Sequence, residues 1–232
     1  MRSVASDLGH EYCVMSLFWL RRPNVPLLCL LVAVVVVFPF IERAAVGRCL
    51  ANLVVVTGIV LSLHRVRAPR RGVIAIVALG ALAVTGQILN EAHVPGPAGL
   101  VSAVAQMGFF GGSAALMCSY MLRDQRATID ELFAAATAFM LIVLAWASGY
   151  WVIESLRPGS FAINYPTLAE RRTWFELFYL SMTTLSTTGF GDVVPVSTGA
   201  RAAVMLEQFT GVLYVALVIS RLAGFAGRSR TG

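Results

Sequence analysis

Long apolar runs alternate with short polar segments along the whole chain. A helix needs about 20 residues to cross the roughly 30 Å hydrocarbon core of a bilayer. Five runs reach a comparable length clearly, and a sixth, the second in the chain, is marginal. The pattern therefore predicts six transmembrane helices: Val25–Ile41, Cys49–Leu63, Gly72–Leu89, Gly99–Leu122, Leu132–Ile153 and Gly199–Phe225.

The composition agrees with a membrane protein. Hydrophobic residues make up 58% of the chain and charged residues only 13%, against about 45–50% and about 25% in soluble domains. These values exclude a disordered chain, a nucleic-acid-binding domain and almost any water-soluble enzyme. The four cysteines have no metal-site or disulfide spacing, and HExxH and similar catalytic motifs are absent. We therefore expect no enzymatic activity, no cofactor and no nucleic-acid partner.

All 18 basic residues are arginine, and their distribution indicates an orientation. With the N-terminus inside, 12 arginines lie on the inner side and 6 on the outer side, as expected if cytoplasmic loops are the more basic ones. We expect both termini in the cytoplasm, with residues 1–24 as an N-terminal or interfacial segment and 226–232 as a short tail. The absence of lysine favours a GC-rich prokaryotic genome and hence the cytoplasmic membrane.

A different pattern lies between the fifth and sixth predicted spans, in residues 173–195. Thr173 and Glu176 have the spacing of a capping box, which begins a helix. The helix is predicted to end near Ser186, after about half a membrane thickness. Gly189 and Gly191 follow and allow left-handed backbone conformations. Irregular backbone at this depth must line water or be buried in protein, so the segment is predicted to enter the membrane and turn back.

The residues Thr187-Thr188-Gly189-Phe190-Gly191-Asp192 resemble the selectivity filter of the tetrameric potassium-channel family, whose usual form is TVGYGD. The resemblance implies an all-α membrane protein with a re-entrant pore helix before the filter, assembled as a homotetramer in the lipid bilayer. Stacked carbonyl oxygens can replace the water around a cation, and one chain supplies only one wall of such a cage. The predicted ion-binding residues are Thr187, Thr188, Gly189, Phe190 and Gly191, with K⁺ at the first four.

The same resemblance assigns roles to residues around the filter. Asp192 matches the acid just outside the filter, and Gly211, nineteen residues after Asp192, occupies the position of a gating hinge in the inner helix. Glu176 is predicted to cap the pore helix. The remaining predicted supports of the filter are Thr183, Thr184 and Glu207.

Glu207 is an acid well inside the last predicted span, where an unpartnered charge is costly. In one interpretation it is buried and bonds pore-helix hydroxyls, such as those of Thr183 or Thr184. In another it faces the ion path and concentrates cations. Arg221, near the inner end of the same span, is interpreted as an arginine that reaches to the membrane surface.

The pattern divides the chain into a four-helix membrane domain at 25–131 and a pore domain at 132–225. The span Gly99–Leu122 contains no charge, whereas a voltage sensor needs several arginines there. We therefore expect a potassium-selective channel that is not gated by voltage in the usual way. Thr188 for valine and Phe190 for tyrosine leave a weakly selective cation channel as an alternative. A secondary transporter is more remote, because residues 1–131 contain no second broken helix of this kind.

Overall fold

The computed structural model describes residues 24–65, 69–123, 129–164 and 172–228. The predicted interfacial segment before Asn24 and the end of the predicted tail, 229–232, lie outside these residues. The described elements follow in the order α1 (Asn24–Ile41), α2 (Ala45–Arg65), α3 (Arg70–Glu91), α4 (Ala98–Arg123), α5 (Ile129–Leu156), β1 (Phe161–Ile163), α6 (Trp174–Leu185), β2 (Val193–Pro195) and α7 (Thr198–Arg228).

Within the described residues, six helices are long and apolar enough to cross a membrane, namely α1–α5 and α7. The six predicted spans are confirmed, and the marginal second one is a full-length helix. It begins at Ala45 rather than Cys49, because Arg48 is paired with Glu91 of α3 at 2.5 Å. The ion pair neutralises a charge that makes the first turn look polar in the sequence.

Small residues bring α3 and α4 close together. Gly80, Ala83 and Gly86 are buried along one face of α3, and a Cβ at Gly86 would lie only 3.2 Å from the Cα of Ser102 in α4. The Ser102 hydroxyl also donates to the Ala83 carbonyl at 2.7 Å. Lipid is as apolar as leucine, so such close packing and interhelical hydrogen bonds stabilise helix pairs in a membrane.

The fifth spanning helix lies at the centre of the molecule, whereas the last lies at its edge. In the most apolar stretch of α5, 61% of residues are buried, against 17% in α7. At one end, Arg221 of α7 is paired with Glu131 of α5 at 3.2 Å, and both side chains are largely buried. The sequence did not predict this ion pair; the interpretation of Arg221 as an arginine that reaches to the membrane surface stays a prediction.

A two-stranded antiparallel sheet was not predicted. Phe161 of β1 pairs with Pro195 of β2, and Ile163 pairs with Val193. Three-residue strands are too short to show an alternating pattern in the sequence. The sheet joins the segment before α6 to the segment after residues 187–192, so it closes this part of the chain into a loop.

Candidate functional site

The short helix α6 precedes the glycine-containing segment and has the predicted start. The Thr173 side chain accepts from the backbone N–H of Glu176 at 3.2 Å, and the Glu176 carboxylate accepts from the backbone N–H of Thr173 at 2.8 Å. This is the predicted capping box. The helix ends at Leu185 after 12 residues, which corresponds to about 18 Å at 1.5 Å per residue. It is too short to cross a bilayer.

Every second residue of the following segment has a left-handed backbone. The φ angles are 59° at Thr187, 55° at Gly189 and 76° at Gly191. Thr188 and Phe190, which lie between them, do not have a positive φ, so the sign of φ alternates along the segment. Thr187 was not expected to take part, because a β-branched residue in this region is costly, by about 1–3 kcal/mol.

Hydrogen bonds hold the beginning of this segment to the end of α6. The Thr187 N–H donates to the Thr184 carbonyl at 3.0 Å, and the N–H groups of Thr188 and Gly189 both donate to the Thr183 carbonyl, at 2.9 and 3.1 Å. The Thr183 hydroxyl itself donates to the Leu180 carbonyl at 3.0 Å. The predicted supports Thr183 and Thr184 thus contact the segment through their main chain.

Asn164 holds the other end of the segment, a role for which no sequence pattern was recognised. Its side-chain amide donates to the Gly191 carbonyl at 2.6 Å, and its backbone N–H donates to the Asp192 carbonyl at 2.7 Å. Only the pairing of β1 with β2 brings Asn164 to this position. The Asp192 carboxylate accepts from the Val193 N–H at 3.0 Å. No hydrogen bond from Asp192 to α6 occurs in the described residues.

The carbonyl groups of Thr187, Thr188, Gly189 and Phe190 accept no hydrogen bond from the described part of the chain, and neither does the Ser186 carbonyl before them. All four residues are exposed in the single chain. Carbonyl groups need hydrogen-bonding partners, so these exposed oxygens are available to water, an ion or another chain. The aromatic ring of Phe190 stacks on Tyr179 of α6, with centroids 6.3 Å apart and planes within 6°. A ring contact therefore positions this side chain without a hydroxyl.

Glu207 is fully buried behind α6. Its carboxyl oxygens lie within hydrogen-bond distance of the Tyr150 hydroxyl of α5 and the Ser181 hydroxyl of α6. The predicted partners Thr183 and Thr184 are therefore wrong, because Ser181, two residues before Thr183, is the α6 hydroxyl that reaches the acid. The alternative in which Glu207 faces the ion path is also wrong, since the side chain has no exposed surface.

The number of hydrogens available for these hydrogen bonds indicates the protonation state of Glu207. The Ser181 hydroxyl lies within hydrogen-bond distance of both Glu207 and the Val143 carbonyl, the latter at 2.9 Å. Together with Tyr150 there are three contacts, but each hydroxyl carries one hydrogen. A hydrogen on the Glu207 carboxyl group supplies the third, with Ser181 then donating to Val143. The geometry therefore favours a carboxylic acid that links α5, α6 and α7.

Gly211 touches the end of α6. A Cβ at this position would lie 2.5 Å from the Leu185 carbonyl oxygen and 3.3 Å from the Leu185 Cα. The backbones of α6 and α7 therefore approach each other here as closely as a residue without a side chain allows. This contact gives Gly211 a packing role that the sequence did not predict; its role as a hinge stays a prediction.

Gln208 is a polar residue on the exposed side of α7, where Arg201 and Ser220 are also exposed. Gln208 has no hydrogen-bond partner in the described residues. It lies ten residues after Thr198, or about 15 Å along the helix. Large exposed apolar side chains surround it: Met205, Leu206, Phe209, Val212, Leu213, Val215 and Ile219.

Comparison with known proteins shows that this region is similar to ion channels. Residues 137–228 match the family model described as "Ion channel", and they include α6, the glycine-containing segment and α7. Among curated proteins, the potassium channel protein kcv of Paramecium bursaria Chlorella virus 1 is 29% identical over 89 residues, which cover 38% of this chain and 94% of that protein. With six apolar spanning helices, the chain is a multi-pass membrane protein similar to ion channels in its C-terminal part.

Proposed function

We propose that the chain is one subunit of a homotetrameric channel that conducts K⁺ passively, with residues 187–191 as its selectivity filter. The observation that carries this proposal is the run of four carbonyl groups without donors, from Thr187 to Phe190, on a backbone of alternating hand. Carbonyl oxygens stacked along an axis can replace the water around a cation. The family match and the similarity to a viral potassium channel support the same function.

The Gly191 carbonyl has a different role in this proposal. It already accepts from the Asn164 amide, so the K⁺ sites lie at Thr187, Thr188, Gly189 and Phe190, and Gly191 ends the filter. The helix α6 acts as the pore helix. Its C-terminus carries a partial negative charge and meets the filter at Thr187, where that charge favours a cation.

Several exposed groups support a closed ring of subunits. One chain offers a single wall of exposed carbonyl groups, and an ion cage needs walls on all sides. Gln208 at mid-membrane depth needs water or a neighbouring subunit as its partner. The sparsely buried α7 then forms the inner helix, with Gln208 beside a water-filled path below the filter. The number four comes from the resemblance to tetrameric channels.

The fourth spanning helix argues for gating without a voltage sensor. Between Ala98 and Met121 the helix contains no charged residue, and moving charges through the field is what makes opening voltage-dependent. Helices α1–α4 then serve as a membrane domain around the pore, and Gly211 remains the proposed hinge. We further propose a prokaryotic cytoplasmic membrane with both termini inside, in accordance with the distribution of arginines.

The proposal is tested with the purified protein in planar bilayers, by measuring the reversal potential under opposed K⁺ and Na⁺ gradients. A reversal potential near the K⁺ equilibrium value is expected. A robust current that reverses near zero would refute selectivity for K⁺. It would support the second candidate, a weakly selective cation channel, which Thr188 and Phe190 favour. Flux that requires a coupled counter-ion would instead support a transporter.

A matched pair of glycine substitutions links the current to the filter. Gly189→Ala places a side chain on a residue with φ of 55°, at a cost of about 1–2 kcal/mol, and is expected to abolish selective current. Gly199→Ala, at the start of α7, meets no atom within 4 Å and is expected to leave the current unchanged. Equal currents in the two variants would exclude residues 187–191 as the conducting segment.

A further inference from the structure

A cavity of about 790 Å³ lies between the first four helices and α6, away from the candidate filter. Ligand pockets in proteins usually measure about 300–1,000 Å³, so the cavity can hold a small molecule or one hydrocarbon chain. Residues of α1–α4 form most of its wall. The first turns of α6 close it on the remaining side through Trp174, Phe175 and Phe178.

The two ends of the cavity differ in polarity. Along α1, α2 and α4 most of its wall is hydrocarbon, with Leu31, Val55 and Phe110 at most 6% exposed. The polar residues on this part of the wall are Asn52, Ser102 and Gln106. At the connection between α1 and α2 and at the end of α3 the wall carries Glu42, Arg43, Arg48, Gln87, Asn90 and Glu91. A cavity that is apolar at one end and charged at the other suits an amphiphile.

The charges at the polar end are not equally available. The Arg48 guanidinium binds both carboxylate oxygens of Glu91, at 2.9 and 2.5 Å, and the Glu42 carbonyl at 2.5 Å. Arg43 makes no hydrogen bond or salt bridge with another described residue. Burial and the negative charge of Glu176 raise the pKa of the Glu42 carboxyl group, and the positive charges of Arg43 and Arg48 oppose this shift. The polar end of the cavity therefore has an acidic group, Glu42, beside a basic group, Arg43. Together they complement a zwitterionic lipid head group.

Two polar groups in the wall also lack partners. Proline has no N–H, so Pro39 leaves the Val35 carbonyl without the donor that a helix normally supplies. The Trp174 indole nitrogen is buried without a hydrogen-bond partner in the described residues. Both Val35 and Trp174 line the cavity. A pure hydrocarbon satisfies neither group, whereas the hydroxyl of a lysolipid backbone offers one donor and one acceptor.

We propose that this cavity binds one single-chain zwitterionic lipid, with its acyl chain against α1, α2 and α4 and its head group at Glu42 and Arg43. The phosphate then faces Arg43 and the ammonium group faces Glu42. Because α6 forms part of the wall, such a lipid contacts the helix that immediately precedes Thr187. The binding site is independent of the proposed ion selectivity.

The proposal is tested by native mass spectrometry of the purified full-length protein with lysophosphatidylethanolamine as the probe. Uncharged monoolein and anionic oleate are compared at equal concentration. The zwitterion is expected to bind at least tenfold more tightly than either. Tightest binding of oleate would overturn the assignment of the head group, and absence of a saturable bound probe would overturn the site.

Cavity-filling variants locate the bound probe. Ala103→Leu and Ala51→Leu each place a larger side chain in the cavity wall, at residues that are 3% and 8% exposed. Both are expected to weaken binding at least tenfold. Ala81→Leu, on the exposed side of α3, is the matched control and is expected to bind like the wild type. The two core positions lie on different helices, so one variant can replace the other if it fails to fold. Wild-type affinity in a folded cavity variant would refute the location.

Charge removal tests the head-group contacts separately. The double variant Glu42→Gln with Arg43→Gln is expected to lose the preference for lysophosphatidylethanolamine over monoolein, while its affinity for monoolein stays the same. An undiminished preference would contradict the proposed contacts.

Discussion

Replacing Gly211 by alanine separates two roles for this residue, the proposed hinge and the close contact seen in the structure. The new Cβ would lie 2.5 Å from the Leu185 carbonyl oxygen, whereas ordinary contacts begin at 3.4 Å. The two backbones must therefore separate by roughly 0.9 Å, the difference between these distances. Forcing an extra carbon into a well-packed site costs about 1–3 kcal/mol.

The intrinsic helix preference of alanine acts in the opposite direction, by up to about 1 kcal/mol. Gly199→Ala lies in the same helix and meets no atom within 4 Å, so it gains the preference without the clash. We expect Gly211→Ala to be less stable than Gly199→Ala by about 1–3 kcal/mol, measured by thermal unfolding of the purified proteins in the same detergent.

Current recordings complete the test of Gly211. The displaced Leu185 carbonyl belongs to the last residue of α6, two residues before Thr187, so the packing role predicts a loss of selectivity together with the loss of stability. A pure hinge predicts a changed open probability with unaltered stability and selectivity. If Gly211→Ala unfolds like Gly199→Ala and keeps its selectivity, the reasoning from the close contact is refuted.

Further substitutions test the groups around the segment. Glu207→Gln can keep all three contacts, because an amide donates to Ser181 and accepts from Tyr150. Glu207→Leu leaves buried hydroxyls unpaired and should cost about 1–3 kcal/mol in thermal unfolding. Equal destabilisation by both variants would contradict the hydrogen count. Asn164→Ala removes the donor to the Gly191 carbonyl, worth about 0.5–1.5 kcal/mol, and is expected to reduce K⁺-over-Na⁺ selectivity in bilayer recordings, while unchanged selectivity would show that Asn164 does not hold the filter.

The spanning helices could be predicted because the local sequence alone contains the signal for them. Length and apolarity define such a helix without any knowledge of its neighbours, and the capping box of α6 likewise depends on residues three apart. The start of α2 could not be predicted in this way. The partner that neutralises Arg48 is Glu91, more than forty residues away in the sequence.

The contacts around Glu207 and Asn164 also depend on three-dimensional register. A helical pattern places Glu207 on a face of α7 but does not say which turn of α6 it meets, so Ser181 and Tyr150 could not be selected over Thr183 and Thr184. The position of Asn164 depends on two three-residue strands, which are too short to show a periodic pattern in the sequence. The filter motif itself was recognisable because its glycines and threonines are consecutive, although the left-handed Thr187 was not expected.

The pairing of β1 with β2 also constrains the order in which the protein is made. α6 leaves the ribosome before β2 and is too short to settle across the bilayer as an independent span. The loop that contains α6 closes only after Val193–Pro195 has been synthesised and pairs with β1. Bringing the two strands together over some thirty residues costs about 3 kcal/mol of loop entropy. In nascent chains that end between Leu185 and Val193, α6 should therefore not yet be held by the closed loop. In the proposed tetramer, each subunit would then meet its neighbours with this region already folded.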